Sequence, residues 1–318
     1  MKLGRGRIAG AILGFIASAC SPLKTFDALV PKDGGVAIVA RDAAFGPDPR
    51  QRVDLYAPRS ARAGGLPIIV FLYGGSWNSG TKDGYAFVGR ALAAKGFLVA
   101  IPDYRLVPQI RYPTFLQDNA AAVRWVIAHA GAYGGDAHRL LLAGHSAGAY
   151  NAAMLAYDPR WLGPDRATVR GLIGLAGPYD FLPFDGPVVE ATFGSVADPA
   201  STQPVRFVQA GDAPAFLATG DADDTVRPAN SDSLAKMLVA AGVPVDRRRY
   251  PKVGHVGLVT AIARPFRGRA PVLDDLVAFA DMRHAPAIGD GIDRLGGVFG
   301  EDDIVHRRCV QKAPHLFA

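Results

Sequence analysis

Leu140-Leu-Leu-Ala143-Gly144-His145-Ser146-Ala147-Gly148-Ala-Tyr150 is the stretch on which the reading of this chain turns. Leu140 to Ala143 is a short apolar run of buried-strand type that passes straight into Gly144, and Ala147 to Ala156 reads as the helix after it. Gly144-His145-Ser146-Ala147-Gly148 therefore sets a serine on a tight turn between strand and helix. The glycines two residues to either side let those elements pack closely. Five residues match such a pattern by chance often enough; the strand–helix setting gives this match its weight. A serine hydroxyl is a poor nucleophile until a base takes its proton. The stretch thus asks for an acid and a histidine, which follow the serine in that order in this arrangement.

Outward from it, short apolar runs alternate with longer amphipathic stretches, the signature of βα units and a mostly parallel sheet flanked by helices. Strands are expected at Val36 to Arg41, Arg52 to Tyr56, Ile68 to Leu72, Phe97 to Ile101, Leu172 to Ala176, Ala215 to Thr219 and Arg247 to Tyr250. Helices are expected after Pro113, where Leu116, Ala120, Val123 and Ile127 keep helical spacing, at Ser231 to Ala241 and at Pro271 to Ala280. Arg247, Arg248 and Arg249 read as a charged, solvated edge strand rather than a binding patch. Between Ala176 and Ala215 lie roughly forty residues rich in Pro, Gly and Asp, of the length and composition of a lid or substrate-binding segment. No second domain is required.

Of the seven histidines, His129 and His138 precede the serine, His145 is inside the turn, and His284, His306 and His315 follow the last core element. His255 remains, in Val253-Gly254-His255-Val256-Gly257, a setting that suits a loop after the final strand. The acid belongs after the strand ending at Thr219, where Asp221, Asp223 and Asp224 are three carboxylates to choose from; their spacing fits no calcium loop. An oxyanion formed at the serine needs preorganised N–H donors. Tyr73-Gly74-Gly75-Ser76-Trp77 follows Ile68 to Leu72 directly, so the amides of Gly74 and Gly75, with that of Ala147, are the expected donors. Trp77, Phe181, Phe184 and Phe193 are expected to wall a pocket.

Residues 50 to 280 resemble the esterase and lipase branch of the α/β-hydrolases that carries a His-Gly-Gly-x-Trp motif. That branch includes carboxylesterases, feruloyl-esterase-like enzymes and kynurenine formamidases. Asp103-Tyr104-Arg105-Leu106, Tyr112-Pro113, Gln117-Asp118, Arg124-Trp125 and Gly177-Pro178-Tyr179-Asp180 carry the resemblance beyond the serine motif. The branch's Gly-x-x-Asp-x-x-Val pattern selects Asp223, between Gly220 and Val226, as the acid. Tyr73 departs from the pattern, standing where the branch has histidine. The resemblance implies an α/β-hydrolase fold and carboxylic ester hydrolysis through an acyl-enzyme on Ser146; the small lid, only about forty residues long, points to short-chain acyl esters. Amide or formamide hydrolysis is the alternative, and a catalytically silent envelope binding protein a more distant one. No cofactor and no metal are implied.

Composition adds limits. Hydrophobic residues are 49% and charged residues 20% of 318, which suits a sizeable core. The net charge of +6 falls to +3 without Lys2, Arg5 and Arg7, too little to argue for a nucleic-acid partner. Those three lead into the apolar run Ile8 to Ala19 and then Cys20, the pattern of an export signal over residues 1–19. The run falls short of the roughly 20 residues that span a membrane. Cys20 suits lipidation, so the expected product is exported to the cell envelope, tethered by an N-terminal lipid or released. Cys309 then has no disulfide partner within the chain. The expected organisation is a linker over 20–35, a hydrolase domain over 36–284 and a tail of unassigned role over 285–318.

Overall fold

The computed structural model describes residues 22–60 and 64–284. The expected signal over 1–19, Cys20 and the tail over 285–318 lie outside the described residues.

Eight strands form one sheet: β1 (Val36–Ala44), β2 (Arg52–Pro58), β3 (Leu66–Leu72), β4 (Leu98–Pro102), β5 (Gly135–His145), β6 (Val169–Leu175), β7 (Ala215–Gly220) and β8 (Val245–Tyr250). Their order is β1-β2-β4-β3-β5-β6-β7-β8. Only β2 runs against its neighbours, pairing antiparallel with β1 and β4. From β4 across to β8 every pairing is parallel. The middle strands are apolar on both faces because helices cover both. Val70, Leu142, Ile173 and Leu217 are fully buried.

The helices are α1 (Pro22–Leu29), α2 (Ala86–Ala94), α3 (Thr114–His129), α4 (Ala147–Tyr157), α5 (Pro159–Leu162), α6 (Pro187–Phe193), α7 (Ala229–Ala240), α8 (His255–Thr260) and α9 (Val272–His284). Five of them depart from the sequence expectation. α1 occupies the expected linker, α2 stands between β3 and β4, α5 follows directly on α4, α6 lies in the expected lid segment, and α8 begins at His255, where a loop is expected. β1 and β5 are also longer than their apolar runs, because ladder pairing carries them into polar residues: Ala44 still faces Arg52, and Gly135 faces Leu66.

β8 is the sheet edge, as its arginines imply. Arg248 and Arg249 are exposed and pair with Asp246 and Asp221. Arg247 differs: it is largely covered, donating to Thr219 Oγ1 at 2.7 Å and to Asp232 at 2.9 Å, and so ties α7 to β7.

The register explains where chemistry gathers. Leu72 lies opposite Gly144, Gly144 opposite Gly174, and Gly220 opposite Tyr250, so the parallel strands end along one line. The loops carrying Gly74, Ser146, Asp223 and His255 all leave that C-terminal edge, where open parallel sheets hold their ligands.

Candidate active site

The turn at Ser146 is as tight as the motif requires. Ser146 has φ 56° and ψ −125°, a conformation a side-chain-bearing residue adopts only when its surroundings hold it. Its N–H donates to the Leu175 carbonyl at 2.9 Å, which fixes the turn against β6. A Cβ on Gly144 would collide with the main chain of Gly148, and one on Gly148 with the carbonyl of Leu72. Strand and helix approach that closely only without those side chains.

Ser146 Oγ lies 2.9 Å from His255 Nε2, and His255 Nδ1 lies 2.8 Å from Asp223 Oδ2. Asp223 is buried, and its Oδ1 accepts the amides of Thr225 at 3.0 Å and Val226 at 2.9 Å. Burial works to raise this carboxyl's pKa, but the bonds from His255 and the two amides overcome it and hold the group below its ordinary value. A carboxylate only accepts, so Nδ1 carries the imidazole proton and the Nε2 lone pair faces the serine hydroxyl. The other two carboxylates lie elsewhere. Asp221 is exposed and pairs with Arg249, while Asp224 borders the cleft.

The glycine turn after β3 corrects one expectation. The Gly74 amide donates to Tyr85 Oη at 3.2 Å and is thus already engaged within the protein, although Gly74 itself packs closely against Ser146. The Gly75 carbonyl accepts the amides of Asn78 and Ser79, closing the turn. Among the described residues nothing accepts the amides of Gly75, Ser76 or Ala147. Tyr73, in place of the histidine, is buried and stacks on Tyr104 with ring centroids 4.6 Å apart. Its hydroxyl accepts from Arg50 at 2.9 Å, and its carbonyl accepts from Tyr104 Oη at 2.9 Å. An aromatic stack thus anchors the loop.

Two hollows meet at Ser146. One, about 490 Å³, lies under the segment after β6 and is bordered by Trp77, Phe181, Leu182, Val189, Asp224 and Arg227. The other, about 400 Å³, lies toward α1 and is bordered by Leu23, Phe26, Gly75, Tyr85, His255 and Val256. Of the four aromatics expected in a pocket wall, Trp77 and Phe181 border the first hollow. Phe193 is fully buried, edge-on to Trp77 at 4.9 Å, and Phe184 stacks on Phe193 at 5.7 Å, so these two form the packed layer behind the wall.

Leu23 and Phe26 escaped the sequence reading, although with Val30 they keep an i, i+3, i+7 stripe. Phe26 meets Phe87 edge-on at 5.2 Å and Phe266 at 5.6 Å. Among the described residues no group of three or more His, Cys, Asp or Glu side chains is placed to hold a metal. No described helix is long and apolar enough to cross a membrane.

Comparison with known proteins agrees with this architecture. Residues 53–238 match the model of the BD-FAE family. A probable isoprenylcysteine alpha-carbonyl methylesterase of Oryza sativa subsp. japonica is 30% identical over 269 residues, covering 75% of this chain and 62% of the rice protein. A carboxylesterase of Mycobacterium tuberculosis is 30% identical over 230 residues, covering 64% of this chain and 70% of its own length. For a second rice methylesterase the matched part is 28% of that protein. Among solved structures, esterase B from Lactobacillus rhamnosis superposes with TM-score 0.72 at 20% identity, over 82% of this chain and 90% of that one. A truncated carbohydrate esterase from gut microbiota gives 0.69 at 20% identity, over 80% and 99%. With an eight-stranded sheet of this topology and a family match over more than half its length, the chain belongs to the BD-FAE family and has the α/β-hydrolase fold.

Proposed function

We propose that this chain is a serine-dependent carboxylic ester hydrolase in which Ser146 is the nucleophile, His255 the general base and Asp223 the residue that orients it. The observation that carries the reading is the unbroken line Asp223 Oδ2–His255 Nδ1 at 2.8 Å and His255 Nε2–Ser146 Oγ at 2.9 Å, set on a strained turn beside unpartnered amides.

That geometry supports the following sequence of steps. His255 Nε2 takes the hydroxyl proton as Oγ adds to the ester carbonyl. The amides of Gly75, Ser76 and Ala147 receive the oxyanion that forms. Asp223 stabilises the imidazolium without itself taking the proton. The imidazolium then protonates the departing alkoxide, leaving Ser146 acylated. Water, deprotonated by His255, attacks that acyl group and restores the hydroxyl.

His255 borders the hollow under α1 and not the one under the lid segment. The alcohol must leave beside the group that protonates it. We therefore assign the apolar α1 hollow to the alcohol and the lid-side hollow to the acyl chain. Trp77, backed by buried Phe193 and Tyr150, is one wall of that hollow, and we infer that it limits the length of acyl chain held there. Each methylene left in water forgoes up to ~0.8 kcal/mol of binding, so kcat/KM should peak between acetyl and hexanoyl esters. We further infer that residues 1–19 direct export, that lipid on Cys20 tethers the domain over 36–284, and that the substrate is a small molecule. The support for export and lipidation is the basic start, the apolar run and the cysteine.

The test is turnover of a p-nitrophenyl ester series alongside N-formylkynurenine by the wild-type protein and Ser146→Ala. The expected result is ester turnover that peaks at short chains and falls on the order of 10⁴- to 10⁶-fold in the variant, whose fold is retained. Wild-type-like activity in Ser146→Ala ends the reading. Cleavage of N-formylkynurenine faster than every ester replaces it with an amidase.

A further inference from the structure

Behind the serine turn lies a second line of hydrogen bonds, which the reaction as derived above does not use. Gly74 N–H meets Tyr85 Oη at 3.2 Å, Tyr85 Oη meets His145 Nδ1 at 3.1 Å, and His145 Nε2 meets the His255 carbonyl at 3.2 Å. Tyr85 and His145 are both 2% exposed.

The donors in this line can be assigned one by one. The His255 carbonyl can only accept, so His145 Nε2 carries a proton. Burial, reinforced by the neighbouring His255 ring, pushes the His145 pKa down to about 3, so the ring is neutral and holds one proton only. Nδ1 is therefore an acceptor, and the Tyr85 hydroxyl must donate to it. That leaves the Tyr85 oxygen to accept from the Gly74 amide. Burial also raises the Tyr85 phenol, which keeps its proton. Every bond points the same way, from the loop after β3 to the first turn of α8.

We propose that Tyr85 and His145 are positioning residues, a buried relay that holds the oxyanion loop and the general base in register from opposite sides of Ser146. The proposal rests on the esterase reading of Ser146, His255 and the open amides. By engaging Gly74, the relay turns the next peptide units, at Gly75 and Ser76, toward the serine. By engaging the His255 carbonyl, it fixes the start of α8 and so the ring that must reach Oγ. A positioned donor costs nothing to reorganise as charge develops, whereas a loose one does. The relay therefore acts on the transition state more than on substrate binding.

The experiment measures kcat, KM and the affinity of a trifluoromethyl ketone, which adds to serine as a tetrahedral oxyanion, in Tyr85→Phe, His145→Asn and His145→Leu, with Ser146→Ala as control. Tyr85→Phe should lower kcat about 10- to 100-fold at unchanged KM, less than the ~10²–10³ that loss of a donor itself costs. Its affinity for the ketone should fall by the same factor. His145→Asn offers an oxygen that can still accept from Tyr85, and should lose less than His145→Leu, which can accept nothing. Circular dichroism confirms that each variant is folded.

Wild-type kcat in Tyr85→Phe overturns the relay. So does a fall in kcat that the ketone does not share, or equal losses in the two His145 variants. If Ser146→Ala retains activity, the esterase reading fails instead, and the two failures are thereby distinguished.

Discussion

Two histidines lie with ring centroids 4.9 Å apart, one inside the serine motif and one at the start of α8. They are the same residue in the same pocket with opposite chemistry, and what each meets at Nδ1 accounts for it. His255 meets a carboxylate, which demands a proton on Nδ1 and frees Nε2 to act as a base. His145 meets a tyrosine hydroxyl, which donates a hydrogen bond to Nδ1, so its own proton sits on Nε2, locked on a carbonyl. In the proposed reaction, a neutral His145 would also spare the imidazolium at His255 a like charge beside it. A histidine near a nucleophile is thus no base by proximity alone; its far nitrogen needs a carboxylate.

The strongest way to break this contrast is to change the partner of His255. Asp223→Asn removes the carboxylate while keeping its shape, and turnover should fall on the order of 10⁴-fold, as a wrong imidazole tautomer does elsewhere. Asp221→Asn and Asp224→Asn should stay within a few-fold of wild type, since neither side chain meets His255. If Asp224→Asn falls furthest, the acid is misassigned.

The contrast sharpens in acid. An unfolded histidine titrates near 6.5, and the folded His145 near 3. The unfolded chain therefore binds a proton first as pH falls, and stability present above pH 6.5 is lost toward pH 3. The charged and titratable groups facing His145 are His255, Asp223 and Tyr85, and the depressed Asp223 adds a loss of the same sign only below about pH 3.8. Between pH 6.5 and 4, the unfolding free energy of the wild-type protein, from urea titrations, should fall more steeply than that of His145→Asn, by up to roughly 1.4 kcal/mol per pH unit. Parallel curves would mean that His145 is already charged in the folded protein.

A smaller effect separates the two hollows. Leu23→Ala with Phe26→Ala strips apolar surface from the α1 side. It should raise KM about 3- to 30-fold for esters of bulky apolar alcohols, with less change across the acyl series. The reverse pattern would exchange the acyl and alcohol assignments.

How much of this was legible in the sequence follows from where each signal lies. Ser146, His255 and the parallel sheet announce themselves through local patterns: a five-residue motif, chain order and apolar runs. Asp223 needed the family pattern, because three neighbouring carboxylates look alike until one of them folds inward. α2 hid because Gly89 and Arg90 interrupt its apolar run; the structure puts the Tyr56 ring where a Cβ at Gly89 would sit, 2.6 Å from its nearest atom. Of the proposed oxyanion donors, Gly75 and Ala147 were legible, but the exchange of Gly74 for Ser76 was not. It depends on Tyr85, eleven residues from Gly74, reaching back across the turn. Long-range hydrogen bonds leave no periodic trace. Phe193 was misplaced for a related reason, since an aromatic in a lid segment faces either the pocket or the layer beneath it, and only packing decides.

The central claim is that His255, oriented by Asp223, activates Ser146, and one labelling experiment tests it most directly. A fluorophosphonate added to the wild-type protein should give a single adduct by intact mass, mapping to the peptide that contains Ser146. The adduct should be absent from Ser146→Ala and should form at least 10²-fold more slowly in His255→Ala, because an unassisted hydroxyl is a weak nucleophile. An adduct on another residue, or labelling of His255→Ala at the wild-type rate, would contradict the account.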